Sequence, residues 1–90
     1  MSVTEIEKVQ SEITMLMERK VHVKVPSPTT NLMETGLLDS MGLVDLIAGI
    51  EEQFGIQVPM EEISIDQFQS VARMADFVCQ QKNIKLAIHN

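Results

Sequence analysis

The stretch Gly36–Leu43, GLLDSMGL, joins a turn-rich segment to the most strongly patterned helix predicted in the chain. Asp39 and Ser40 lie at the junction. Either residue type directly before an apolar-periodic run is typical of a helix start, because the side-chain oxygen accepts from unpaired backbone N–H groups. A helix start also favours negative charge, so a phosphate ester on Ser40 would be stabilised there. On these residues alone, a plain helix cap at Ser40 is a commoner explanation than a modified serine.

The second helix is predicted from Ser40 or Met41 to Phe54 or Gly55, and it has two faces. The core face has apolar residues at helical spacing: Leu43, Leu46, Ile47, Ile50 and Phe54. The second face mixes apolar and acidic residues: Met41, Val44, Asp45, Ala48 and Glu52. A small exposed apolar patch with an acidic rim suits a transient docking surface. A solvated face with a few tolerated apolar residues explains the same pattern equally well.

Before this helix, the chain predicts one helix and a long loop. Helix one is predicted from about Val3 to Lys20, on the apolar stripe Ile6, Val9, Ile13, Leu16 and Met17. Its start has two candidate capping boxes, Thr4 with Glu7 and Ser2 with Glu5. Val21–Val25 alternates like a strand but has no pairing partner, so it is predicted to begin an extended loop. Inward-pointing leucines are expected to pin that loop: Leu32, Leu37 and Leu38.

After helix two, Gly55 and Pro59 predict a break. Met60–Ile63 is predicted to form one helical turn, and Ser64–Phe68 a short helix with Ile63, Ile65 and Phe68 turned inward. Ser70 is predicted to cap the last helix, from about Val71 to Gln81 or Lys82, with Phe77 near the edge of its core stripe. Whether residues 83–90 extend this helix stays open. The fold class is therefore all-α, a small four-helix bundle of three main helices and one short helix.

Composition narrows the function classes. Ninety residues make one small domain, and a net charge of −6 argues against binding nucleic acid. Cys79 is the single cysteine, so no internal disulfide forms, and we predict that it is a packing residue. No apolar run has the length of a membrane span, and the first residues lack the pattern of a signal peptide. We therefore expect a cytoplasmic protein.

The residues do not predict an active site. Ser40 lacks the glycine two positions earlier that a nucleophile elbow needs. A catalytic triad needs a histidine, and the two available, His22 and His89, lie in a loop and at the terminus. No phosphate-binding glycine loop, metal-ligand cluster or EF-hand loop is present. We expect a protein without catalytic activity.

Residues 36–41 resemble the attachment motif of the acyl and peptidyl carrier protein family. The similarity extends from about Ile6 to Val78, and it includes LVDLI at residues 43–47, IEEQFGI at 50–56 and Val58-Pro59. The resemblance implies an acyl-carrier-protein-like bundle, with residues 1–90 as a single carrier domain, a core of about 3–82 and a tail of 83–90. It also implies that Ser40 carries 4′-phosphopantetheine, derived from coenzyme A, with Asp39 and Met41 beside the attachment point.

The resemblance also implies the partners. Helix two is the partner-recognition helix in this family, and the matching positions are Met41, Val44, Asp45, Ala48, Glu51 and Glu52. The expected partners are a phosphopantetheinyl transferase, a ligase that loads an acyl or aminoacyl group as a thioester, and a downstream transferase or synthase. We expect the carrier itself to be a monomer.

The cargo is predicted from departures within the family. Fatty-acid carriers usually have Asp-Ser-Leu and a more acidic second helix, whereas Ser40-Met41-Gly42 and residues 63–71 resemble stand-alone D-alanyl or peptidyl carriers. We expect an aminoacyl or peptidyl cargo, with a polyketide or specialised acyl chain as the second candidate. An unmodified helical adaptor that binds one partner through helix two is the alternative of a different class. Covalent change at Ser40 distinguishes the two.

Overall fold

The described part of the chain contains three α-helices and two shorter helical turns. The computed structural model describes residues 5–59, 61 and 64–89, and at residues 65 and 83–89 it describes the backbone alone. The elements are α1 (Glu5–Leu16), a π-helical turn (Met17–Val21), α2 (Ser40–Phe54), a 3₁₀ helix (Ile65–Phe68) and α3 (Val71–His89). The predicted all-helical class is confirmed, since no strand occurs in the described ranges.

Some predicted boundaries lie outside the described residues, and two helices end later than predicted. The predicted start at Val3, both capping boxes and the turn at Met60–Ile63 fall largely on residues outside the described ranges, as does the side chain of Ile65. Helix one continues one residue beyond the predicted end, because the π-turn carries it to Val21. α3 extends to His89 rather than ending at Gln81 or Lys82, so the question left open by the sequence is answered for the backbone.

α1 and the π-turn bury four residues of the predicted stripe, Val9, Ile13, Leu16 and Met17, and Ile6 is half-buried against the same core. The π-turn is followed by His22, whose backbone adopts the left-handed conformation at φ 61°. The His22 N–H donates to the carbonyl oxygen of Met17. This geometry closes the helix in the way that a left-handed C-terminal residue commonly does. It also turns the chain into the loop that follows.

The loop after His22 is extended and pinned to the core. Val23 and Val25 are half-buried against the core and alternate with exposed neighbours, as does Val21 at the end of the π-turn. Leu32 and Leu38 are fully buried, as predicted, and each contributes about 1.5–3 kcal/mol by burial. Leu37 is half-buried against the same core.

Backbone hydrogen bonds tie this loop to the start of α3. The Leu32 N–H donates to the Gln69 carbonyl at 2.7 Å, and the Ala72 N–H donates to the Pro28 carbonyl at 2.9 Å. Within the loop, the Leu38 N–H donates to the Leu32 carbonyl at 3.0 Å. The loop therefore delivers residues 39 and 40 to one place on the bundle, which fixes where α2 begins.

The core face of α2 is confirmed. Leu43, Leu46, Ile47 and Ile50 are buried, and Phe54 is half-buried against the same cluster. The helix ends at Gly55, which has φ 64° and donates its N–H to the Glu51 carbonyl. A glycine avoids the steric cost of this left-handed conformation.

The last helix begins as predicted, but one of its aromatic residues is placed differently. Ser70 caps α3, since its Oγ accepts from the Arg73 N–H at 3.2 Å. The prediction that Phe77 lies near the edge is wrong, because it is only 6% exposed. Its ring packs against Phe68, with the two ring centroids 5.4 Å apart and the planes tilted by 55°. This aromatic contact attaches the 3₁₀ helix to α3.

Candidate functional site

The start of α2 is capped by Asp39 and not by Ser40. Asp39 has an extended backbone, and its Oδ1 accepts from the Gly42 N–H at 2.7 Å. The Asp39 carbonyl accepts from the Leu43 N–H at 2.8 Å. The alternative that Ser40 is a plain cap is therefore wrong, because the preceding carboxylate occupies that position.

Ser40 is the first residue of α2 and is exposed. The N-terminal end of a helix stabilises negative charge, because the peptide dipoles are aligned and N–H groups of the first turn are free. No acidic residue lies in that first turn. A phosphate ester on the Ser40 hydroxyl would therefore be favoured by the helix end, although the Asp39 carboxylate precedes it directly in the chain.

The second face of α2 is exposed along its length. Met41 is 78% exposed and Val44 55%, so this face presents two large apolar side chains to solvent. Asp45, Ala48 and Glu52 are also exposed. The structure thus places these five predicted residues on one exposed face of the helix that begins at Ser40, where apolar and acidic groups alternate. Their use by a partner stays a prediction.

Glu51, the sixth residue predicted for this face, is placed differently. Its side chain is half-buried, and its Oε2 accepts from the backbone N–H of Val58 at 2.8 Å. Val58 is itself buried, together with Ile56. The carboxylate of Glu51 therefore holds the segment after α2 against the helix, so its first role is to position that segment.

Gly42 is a site residue that the sequence reasoning passed over. A Cβ at this position would lie 3.2 Å from each of three side-chain atoms: Asp39 Oδ1, Leu38 Cδ1 and Val21 Cγ1. Glycine thus lets the π-turn and the cap approach the first turn of α2 closely. The sequence did contain a signal for this role, because Gly42 lies within the first turn of a predicted helix. Glycine has a low helix propensity, so its presence there indicates close packing.

Other titratable groups do not form a second reactive site within the described residues. No group of three metal-ligand side chains is found there. Partial burial raises the pKa of the Cys79 thiol, and the nearby Glu5 charge adds to this effect, so the thiolate form is disfavoured. Cys79 packs against the core, as predicted. His22 is exposed, and the side chain of His89 is outside the described part of the chain.

One ion pair joins the first and last helices. Lys82 Nζ lies 2.9 Å from Glu5 Oε1. The hydrogen bond and the charge of Lys82 lower the pKa of Glu5, and the same hydrogen bond raises the pKa of Lys82.

Among the described residues, no helix has the length and apolar character needed to cross a membrane.

Comparison with known proteins connects this geometry to a family. The sequence profile of the family described as "Phosphopantetheine attachment site" matches residues 11–78. The D-alanyl carrier protein of Lacticaseibacillus casei is 48% identical over 40 residues, which are 44% of this chain and 49% of that protein. The D-alanyl carrier protein of Bacillus velezensis is 43% identical over 44 residues, 49% of this chain and 56% of that protein.

A third relative covers more of both chains. The D-alanyl carrier protein of Streptococcus sanguinis is 36% identical over 53 residues, which are 59% of this chain and 67% of that protein. The chain spans about half the length of the first two relatives that it matches.

Proposed function

The chain belongs to the phosphopantetheine attachment site family, and we propose that it is a carrier that bears 4′-phosphopantetheine on Ser40. The family predicted from the sequence is thereby confirmed, and with it the covalent cofactor that defines the family. The residue that carries the cofactor and the identity of the cargo are our proposals.

The observation that carries the proposal is the division of roles between Asp39 and Ser40. Because the Asp39 carboxylate caps α2 through the Gly42 N–H, the Ser40 hydroxyl is not needed for the helix start. Ser40 is exposed, and it lies at the N-terminal end of α2, where a phosphate group is electrostatically favoured. In the modification, Ser40 Oγ bonds to the phosphorus that carries the pantetheine, the nucleotide half of coenzyme A leaves, and the hydroxyl proton is lost.

The chain acts through its arm and has no catalytic role of its own. A partner ligase loads the cargo on the arm's thiol as a thioester, and the carrier presents it to a further transferase or synthase. A flexible tether keeps the cargo at a high effective concentration near each docked active site. The docking must also be weak enough for release between steps, which suits a small exposed patch.

We assign docking to the exposed face of α2. Met41 and Val44 supply apolar contact, and Asp45 and Glu52 attract a basic partner surface. Ala48 lies between the apolar and acidic residues of this face, and its small side chain leaves room for a partner to approach. Glu51 acts by holding the adjoining segment, in agreement with its bond to Val58.

The cargo that we propose is an aminoacyl group, with D-alanine as the first candidate. The relatives reported above are all D-alanyl carrier proteins, and the departures from the fatty-acid pattern agree with this choice. A peptidyl, polyketide or other acyl cargo is the second candidate.

We further propose a monomeric, cytoplasmic carrier domain that spans residues 1–90. In this domain the 3₁₀ helix at Ile65–Phe68 is the short member of a four-helix bundle.

The experiment that tests the proposal is modification in solution. The purified chain is incubated with coenzyme A and a broad-specificity phosphopantetheinyl transferase, and its intact mass is measured. A mass increase of one arm supports the carrier. An unchanged mass with several active transferases would leave the helical adaptor as the better account.

A further inference from the structure

A groove of 340 Å³ separates the π-turn from the C-terminal half of α2. Arg19 and Lys20 form one wall, and Glu52 and Gln53 form the other. All four of these residues are exposed, whereas the floor consists of the buried Leu16 and Gly49. The groove is thus polar at its rims and apolar at its base.

Gly49 keeps this groove open although packing does not require a glycine there. A Cβ at Gly49 would lie 3.4 Å from Leu16 Cδ2 and 3.5 Å from Lys20 Cγ, which are ordinary van der Waals distances. Alanine is more favourable than glycine in the interior of a helix. The contacts inside the molecule therefore give no reason for the missing side chain, and its effect is to leave room above the floor.

The basic wall is unpaired. Neither Arg19 nor Lys20 has an ion pair among the residues that the structure describes. Positive side chains are favourable at the end of a helix, which accounts for their sign. This preference does not explain why an open groove lies between these two cations and the carboxylate of Glu52. The chain has a net charge of −6, so acidic residues are in excess.

The groove is continuous with the exposed face of α2, because Glu52 belongs to both. Gly49 lies nine residues after Ser40, which is about 13.5 Å along the helix axis. Even a weak, transient interface of about 600 Å² on one partner is equivalent to a disc of about 14 Å radius. A partner enzyme seated over Ser40 with such a footprint therefore reaches the groove.

We infer that the groove receives an acidic side chain of a partner enzyme, whose carboxylate pairs with Arg19 and Lys20. This inference rests on the proposed carrier function. The docking surface then has two parts of opposite charge: the acidic face of α2 attracts a basic surface, and the groove requires one carboxylate within that surface. A uniformly basic protein would be attracted by the face of α2 and repelled at the groove, so the groove discriminates among partners.

The test compares two double variants of equal net charge. Arg19→Glu with Lys20→Glu reverses the basic wall. Lys8→Glu with Arg73→Glu reverses two exposed cations that do not line the groove and serves as the matched control. Each protein is assayed in phosphopantetheine transfer with the broad-specificity transferase, and in loading of D-alanine by a D-alanine-activating ligase that loads the wild type. KM and kcat are measured for the carrier as substrate.

We expect the groove variant to raise KM at least threefold above the KM of the control in one or both reactions, with kcat within threefold of the wild type. A smaller difference in both reactions overturns the inference. Circular dichroism checks the fold, and Arg19→Gln with Lys20→Gln replaces the reversal if helicity falls. Failure of the carrier function itself looks different, since the wild type would then gain no mass before any variant is compared.

Discussion

The carboxylate of Glu51 and the backbone N–H of Val58 are joined by a hydrogen bond of 2.8 Å. This bond spans the turn that follows α2 and holds Val58 in the core. An unsatisfied buried N–H costs about 1–3 kcal/mol. We therefore expect Glu51→Lys to lower the free energy of unfolding by about that amount, and Glu51→Gln to lower it less, because its amide oxygen still accepts. Urea denaturation measures both.

The control for this prediction is Glu52→Lys, one residue further along the helix. Glu52 is exposed, so its replacement should change the free energy of unfolding by no more than about 0.5 kcal/mol. Equal destabilisation by Glu51→Lys and Glu52→Lys would show that the bond to Val58 contributes nothing.

The two glycines of α2 make a matched pair of predictions. Gly42→Ala places its methyl group 3.2 Å from three side-chain atoms at once, including the capping oxygen of Asp39. We expect a loss of about 1 kcal/mol of stability, since strain from overpacking exceeds the gain in helix propensity. Gly49→Ala meets only ordinary contacts and should gain about 0.5–1 kcal/mol. Thermal melts compare the two, and a melting temperature that rises for both variants would contradict the close approach at Gly42.

The Glu5–Lys82 pair predicts how stability depends on pH. The pKa of Glu5 is lowered by Lys82, so its contribution is present above the ordinary value of 4.5 and is lost as pH falls through the lower folded value. The pKa of Lys82 is raised, so its contribution is present below 10.5 and is lost as pH rises above that value. The stability difference between wild type and Lys82→Met should therefore be greatest between these limits.

Free energies of unfolding at a series of pH values test this pair. The control is Lys24→Met, which removes an exposed lysine that does not contribute to the lowered pKa of Glu5. A difference between wild type and Lys82→Met that stays constant from pH 3 to pH 7 would mean that the pair is absent in solution.

The exposed face of α2 predicts two kinds of docking defect. Asp45→Lys with Glu52→Lys should slow association with a basic partner, because exposed charges act mainly on the encounter rate. Added salt should slow the wild type toward the variant, since charges are screened within about 8–10 Å at 0.1–0.15 M salt. Val44→Asp should instead weaken the docked complex, by placing a charge within the apolar contact.

Stopped-flow association of the modified protein with a partner enzyme separates these effects, and circular dichroism checks the helices. Since Val44 is 55% exposed, its replacement should leave the fold intact. Equal association rates for wild type and the double variant at low salt would mean that partners bind elsewhere.

Periodicity predicted the parts of this fold that depend on burial around a helix axis. The core faces of α1 and α2 follow directly from apolar residues at helical spacing, and Leu32 and Leu38 were recognisable as anchors of a long loop. Phe77 was misplaced because its burial depends on Phe68, which belongs to a separate element. Angular position on one helix carries no information about such a neighbour.

The sequence predicted the location of the candidate site but not the role of each of its residues. The sequence identified Asp39 and Ser40 as two candidates for one helix start, but only the hydrogen bond to Gly42 decides between them. Glu51 has the angular position of a surface residue, and its bond to Val58 depends on a chain that turns back after Gly55. Contacts made by returning segments are the part that local patterns do not contain.

The most direct test of the account is to locate the modification. After reaction with coenzyme A and the transferase, peptide mapping of the wild type should place one phosphopantetheine on Ser40. Ser40→Ala should gain no mass, and its melting temperature should match that of the wild type because Asp39 still caps α2. Modification of Ser40→Ala, or an arm found on another serine such as Ser27 or Ser64 in the wild type, would contradict the central claim.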